Sequence, residues 1–165
     1  IAVADLNEAP EVNYTQEQNE EETEAPTNIA GTITLTAIVT DNNSADNHSY
    51  IWDLSSLDIN NQTEQIIQID PSNTTPGDYD ISLVVTDNGL PNLSTEENFT
   101  LTIAYGDSDG DGVLDNEDAF PTDPEERSDS DGDGIGDEAE NREVDASGSL
   151  YFYLLFLFPL LYRRR

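Results

Sequence analysis

Apolar and polar residues alternate through most of the first two thirds of the chain, without the recurrence at three and four that marks a helix. Gly31 to Thr40 places Ile33, Leu35, Ala37 and Val39 on one face and threonines mostly on the other, the period of a half-buried strand. Tyr50, Trp52 and Leu54 alternate in the same way, as do Tyr79, Ile81, Leu83 and Val85, and then Phe99, Leu101 and Ile103. Turn-forming runs separate them: Asp41-Asn42-Asn43, Pro76-Gly77-Asp78 and Asp87-Asn88-Gly89-Leu90-Pro91. Short strands at this spacing predict an all-β fold, an antiparallel β-sandwich over residues 11–105. Residues 1–10 read as the last strand of a preceding domain and a linker. An Asp/Gly tract with few apolar residues follows over 106–143, and 144–165 turns abruptly apolar before ending in three arginines.

Charge changes this picture next. The net charge is −31, from 36 acidic residues against five arginines and no lysine. Such a surface repels nucleic acid and attracts multivalent cations, so no nucleic-acid partner is expected. With no Cys, neither disulfides nor thiolate metal sites are open to it. A chain that opens Ile1-Ala2-Val3 without Met is expected to continue from an upstream region.

The runs Tyr50-Ile51-Trp52-Asp53, Thr75-Pro76-Gly77-Asp78-Tyr79 and Leu83-Val84-Val85-Thr86-Asp87-Asn88-Gly89 resemble the PKD and cadherin-like Ig-fold modules of surface proteins. That resemblance implies a spacer or adhesion role. Trp52 is expected at the centre of the core, and Tyr79 at a sheet corner. Asp5-Leu6-Asn7-Glu8-Ala9-Pro10 resembles the cadherin interdomain linker, which makes it a weaker calcium candidate beside its reading as a plain linker.

Two Asp-rich loops share one register. Calcium takes about six to eight oxygens, and carboxylates at alternate places followed by a turning Gly wrap a short loop round one ion. In the first loop Asp107, Asp109 and Asp111 take the first, third and fifth places; Val113 offers its carbonyl, and Asp115 and Asp118 fall at the ninth and twelfth. In the second loop Asp129, Asp131 and Asp133 are followed by Ile135, Asp137 and Glu140 in the same places. A merely solvated acidic tract does not require glycines at fixed offsets. Pro121 and Pro124 argue against the long helices of an EF-hand. The run Asp118-Ala119-Phe120-Pro121-Thr122-Asp123-Pro124 between the loops resembles the thrombospondin type 3 repeat, with a dockerin as the alternative. Fifteen acidic residues between Asp107 and Glu140 predict a tract that stays open without calcium and folds on binding it.

Leu150 to Tyr162 carries no charge and precedes Arg163-Arg164-Arg165. Counted back through Ala146, the stretch reaches the lower end of what a membrane helix needs, about 20 residues. The arginines would stay cytoplasmic and everything before them would be exported. Small residues, a short apolar helix and terminal arginines resemble the GlyGly-type C-terminal sorting signal cleaved by a rhomboid-family protease, although Gly148 stands singly between serines. Processing would leave the protein at the cell surface or in the medium; an unprocessed tail would be a permanent single-pass anchor.

No catalytic constellation emerges. His48 is the sole His, expected in an exposed loop, and no phosphate loop or zinc-ligand cluster is present. The reading is a calcium-binding, non-enzymatic C-terminal region of an exported bacterial surface protein, a stalk or adhesion module facing a protein or polysaccharide ligand. The alternative is an accessory tail of a secreted hydrolase whose catalytic domain lies upstream.

Overall fold

A computed structural model describes residues 6–141 of the chain. Seven strands build its first part: β1 (Glu11–Gln18), β2 (Glu21–Glu22), β3 (Ile33–Thr40), β4 (His48–Asp53), β5 (Ile66–Ile69), β6 (Gly77–Asp87) and β7 (Ser94–Ile103). They form two sheets, in the orders β2-β1-β3-β5 and β4-β6-β7. Every strand pair is antiparallel. The chain changes sheet between β3 and β4, returns for β5 and changes again for β6, the crossing pattern of an Ig-like sandwich.

The period-2 faces meet in one core. Ile33, Leu35 and Ala37 of β3 and Ile67 and Ile69 of β5 face Ile81, Leu83 and Val85 of β6 and Leu101 and Ile103 of β7. Trp52 and Leu54 are fully buried with them. The Trp52 indole N–H donates to the Glu64 carbonyl at 2.9 Å, so its one polar atom stays satisfied inside the core. Tyr79 packs against the edge of this cluster, and its hydroxyl donates to the Thr75 carbonyl four residues upstream. That bond ties the turn before β6 to the sheet, the role expected of a corner tyrosine.

Several placements differ from the sequence reading. β1 was not legible, because its inward alternation runs from Val12 and Tyr14 into Gln16 and Gln18. Gln18 is nevertheless buried: its amide donates to the Thr27 and Gly31 carbonyls at 2.8 and 2.9 Å and accepts the Thr27 N–H. His48 does not sit in an exposed loop but opens β4, with its side chain 16% exposed. Residues 6–10, read as a free linker, lie against the sandwich: Pro10 is fully buried, and its carbonyl accepts the Thr95 hydroxyl at 2.6 Å.

The chain divides into two compact units after Gly106. The exit from the sandwich is held by Ala104, whose N–H donates to Pro26 and whose carbonyl accepts from Asn28. The predicted sorting segment over 144–165 lies outside the described residues, as does Asp5 of the linker motif. Among the described residues no helix is long and apolar enough to cross a membrane.

Candidate metal centre

Residues 107–141 have little to bury, and their order comes from carboxylates accepting backbone N–H groups. In the first loop Asp107 accepts the Gly110 N–H at 2.8 Å on one oxygen and the Gly112 N–H at 2.9 Å on the other. Asp109 accepts from Asp111, and Asp111 from Val113, each two residues on. The second loop repeats every bond. Asp129 accepts from Gly132 and Gly134 at 2.7 and 2.9 Å, Asp131 from Asp133, and Asp133 from Ile135.

The glycines are dictated by backbone shape. Gly110 and Gly112 have φ of 79° and 95°, and Gly132 and Gly134 have φ of 77° and 89°. A Cβ at any of the four would meet nothing within 4 Å, so the left-handed conformation alone demands glycine.

The folded loops bring the alternate carboxylates together. One oxygen from each of Asp107, Asp109 and Asp111 lies within 4.8 Å of the others, and Asp129, Asp131 and Asp133 converge equally. Three like charges this close repel one another unless a cation sits among them. Asp109 Oδ2 and Asp118 Oδ2 are buried without a hydrogen-bond partner. Burial pushes the Asp109 carboxyl up, and the neighbouring charges of Asp111, Asp118 and Asp107 add to this against the Asp111 N–H. Asp107 goes the other way, because the Gly112 and Gly110 N–H groups hold its carboxylate below the usual range. At the end of the second loop Glu140 is raised, chiefly by the charge of Asp131 and then by burial. These donors suit a hard cation: all are oxygens, and the first loop holds two buried ones with nothing to bind.

The ninth-place carboxylates do something the spacing did not reveal. Asp115 accepts the Ser108 N–H at 2.7 Å and its hydroxyl at 2.8 Å. Asp137 accepts the same two groups of Ser130 at 3.0 and 2.7 Å, and also the Ser128 hydroxyl at 2.7 Å. Ser128 and Ser130 together hold the Asp137 carboxyl low. Both side chains therefore cross-brace their loops, and neither belongs to the converging triads. The only available signal was the serine repeated at the second place of each loop.

A helical turn over 137–141 closes the second loop, with Glu140 N–H donating to the Gly136 carbonyl at 3.0 Å. The first loop closes on a turn instead, with the Glu117 and Asp118 N–H groups both donating to the Leu114 carbonyl. Between them lies Arg127, whose Nε donates to Asp111 Oδ2 at 2.8 Å.

A third carboxylate group joins residues far apart in the sequence. Asp41, Asp46 and Asp87 bring oxygens within 4.8 Å at one end of the sandwich. Asp87 continues the inward face of β6 and is 2% exposed. Burial opposes its charge, but the Leu93 and Gly89 N–H groups and the Asn7 amide outweigh that and keep its carboxyl low. Asn7 also donates to the Pro91 carbonyl at 2.8 Å, so the linker motif is fastened to this cluster. His48 Nε2 meets Asp41 Oδ2 at 2.9 Å, while Asp46 Oδ2 is buried without a partner.

No family model matches the chain, and no curated protein matches it significantly. Among solved structures it is similar to the PKD1 domain of Vibrio anguillarum Epp, at 20% identity over 59% of this chain and 96% of that domain, with a TM-score of 0.43.

Proposed function

We propose that residues 107–140 form a two-site calcium-binding spacer of an exported cell-surface protein, with the sandwich as its stalk or adhesion module. The observation that carries this reading is the repetition: two loops with the same bonds, the same left-handed glycines and the same converging carboxylates. The buried, unpartnered oxygens of Asp109 and Asp118 support an ion in the first loop. Flexible all-oxygen loops favour calcium over magnesium, which demands near-octahedral geometry and gives up its water reluctantly. In each loop the first three aspartates would supply carboxylate oxygens, Val113 or Ile135 a carbonyl, and Asp118 or Glu140 the closing carboxylate. Asp115 and Asp137 would hold the loop in shape.

Metal binding would then stiffen a tract that has almost no apolar core. The export reading rests on the terminal apolar stretch and its arginines. Its outward-facing role fits the thrombospondin type 3 and PKD or cadherin-like resemblances.

Calorimetry on the full chain in mild detergent tests the proposal. Calcium should bind at both loops with dissociation constants on the order of 10⁻⁴ M, and magnesium at least about tenfold more weakly. No heat at millimolar calcium, or equal affinity for magnesium, contradicts it.

A further inference from the structure

Among the described residues the acidic tract contains a single arginine, Arg127, and its position is unusual. It sits in the connection between the loops, yet its side chain reaches back to the first. Arg127 Nε donates to Asp111 Oδ2 at 2.8 Å, and the Asp111 side chain is fully buried there while that of Arg127 is about half exposed. Its backbone carbonyl accepts the Ala119 N–H at 3.3 Å, just beyond the first loop.

The same three-residue segment grips the second loop. Glu126 Oε2 accepts the Ala139 N–H at 3.0 Å, and the Arg127 N–H donates to Glu138 Oε2 at 3.3 Å. The Ser128 carbonyl accepts the Asp137 N–H at 2.8 Å, and its hydroxyl donates to Asp137 Oδ2 at 2.7 Å. Asp137 in turn braces Ser130 inside the loop. A continuous path therefore runs Asp111, Arg127, Ser128, Asp137, from the fifth place of one loop to the ninth of the other.

We infer that Arg127 couples the two calcium loops, so that filling either one orders the other; this rests on the calcium reading of both. Fixing Asp111 in a filled first loop fixes the guanidinium, and with it the segment that holds Asp137 and Glu138. The second loop then needs less chain ordering to bind its ion. Electrostatic repulsion between two divalent ions acts the other way, but the tract's acidic excess leaves it far from neutral. Arg127 is a positioning residue and not itself a calcium ligand.

The amide signals of Gly112 and Gly134 report the two loops separately, because each donates to the first-place aspartate of its own loop. Calcium alone is titrated into the labelled full chain in mild detergent. In the wild type both signals should shift together, with the second ion bound roughly tenfold more tightly than the first. Arg127→Ala should remove that enhancement, so that each signal follows the affinity of its own loop and the two midpoints separate. Arg127→Gln should restore most of the coupling, because its amide nitrogen occupies the place of Nε in the side chain. A purely structural role would weaken both sites while leaving the ratio unchanged, and that result overturns the inference. Independent loops in the wild type also overturn it, with the calcium reading intact. Failure of either signal to respond to calcium removes the calcium reading itself.

Discussion

Replacing Asp109 and Asp131 together by Asn will weaken the calcium response of residues 107–140 severely and, in the absence of metal, leave the tract slightly better ordered than before. The two effects have one cause. Each residue supplies the central carboxylate of a converging triad. Asn keeps the size and the oxygen that accepts the N–H two residues on, but it removes the charge that a divalent ion needs. Asp109 carries the larger share. Its Oδ2 is buried and unpartnered, and burial followed by the charges of Asp111, Asp118 and Asp107 pushes its carboxyl upward. Neutralising Asp131 also relieves Glu140, whose carboxyl it raises most. Outer-shell partners of a bound metal are commonly worth about 10–100-fold in affinity, so loss of an inner carboxylate should weaken each loop by at least about 100-fold. Calorimetry reads the affinity, and amide exchange reads the order of the metal-free tract. An unchanged affinity would mean that the charges of Asp109 and Asp131 contribute nothing to calcium binding, since an Asn side-chain oxygen can still ligate the ion.

Trp52→Ala should have the largest effect on stability. The indole is wholly buried between the sheets and makes a hydrogen bond to the Glu64 carbonyl. Its backbone also exchanges two bonds with Gln62, so β4 and the chain leading to β5 are joined at this residue. Truncating a buried aromatic of this size costs about 4 kcal/mol, through lost transfer free energy and the cavity left behind. A domain of this size has roughly 5–15 kcal/mol in all, so the variant should be near the edge of folding. Denaturant unfolding followed by far-ultraviolet circular dichroism measures the loss. A change below about 1 kcal/mol would place the centre of the core elsewhere.

What the sequence disclosed follows the strength of each local signal. Strands β3, β4, β6 and β7 were readable because Ile33 to Ala37, Trp52, Ile81 to Val85 and Leu101 to Ile103 repeat with period two and are apolar. β5 escaped because four residues with only Ile67 and Ile69 inward are too few to establish a period. β1 escaped because its inward face becomes polar at Gln18, which tertiary hydrogen bonds satisfy. The turn-forming run Asp87-Asn88-Gly89 predicts a turn at Asp87, although the alternation of β6 points it inward. A buried charge looks improbable until the N–H groups of Gly89 and Leu93 and the Asn7 amide are seen around it.

The loops were legible at a different level. Carboxylates at alternate places with glycines at fixed offsets identify converging triads, because the left-handed glycines turn each loop back on itself so that its three carboxylates meet. The bonds from Ser108 to Asp115 and from Ser130 to Asp137 were not legible, since serine at a loop's second place has many uses. The reach of Arg127 back to Asp111 spans the whole connection between loops, and no local pattern encodes a contact of that kind.

Each loop is proposed to hold one calcium ion. Long-wavelength anomalous diffraction from crystals grown in calcium would locate such ions. One anomalous peak is expected among the carboxylates of Asp107, Asp109 and Asp111, and a second among those of Asp129, Asp131 and Asp133. Ordered loops with no peak at either place, or peaks only outside both, would contradict the proposal.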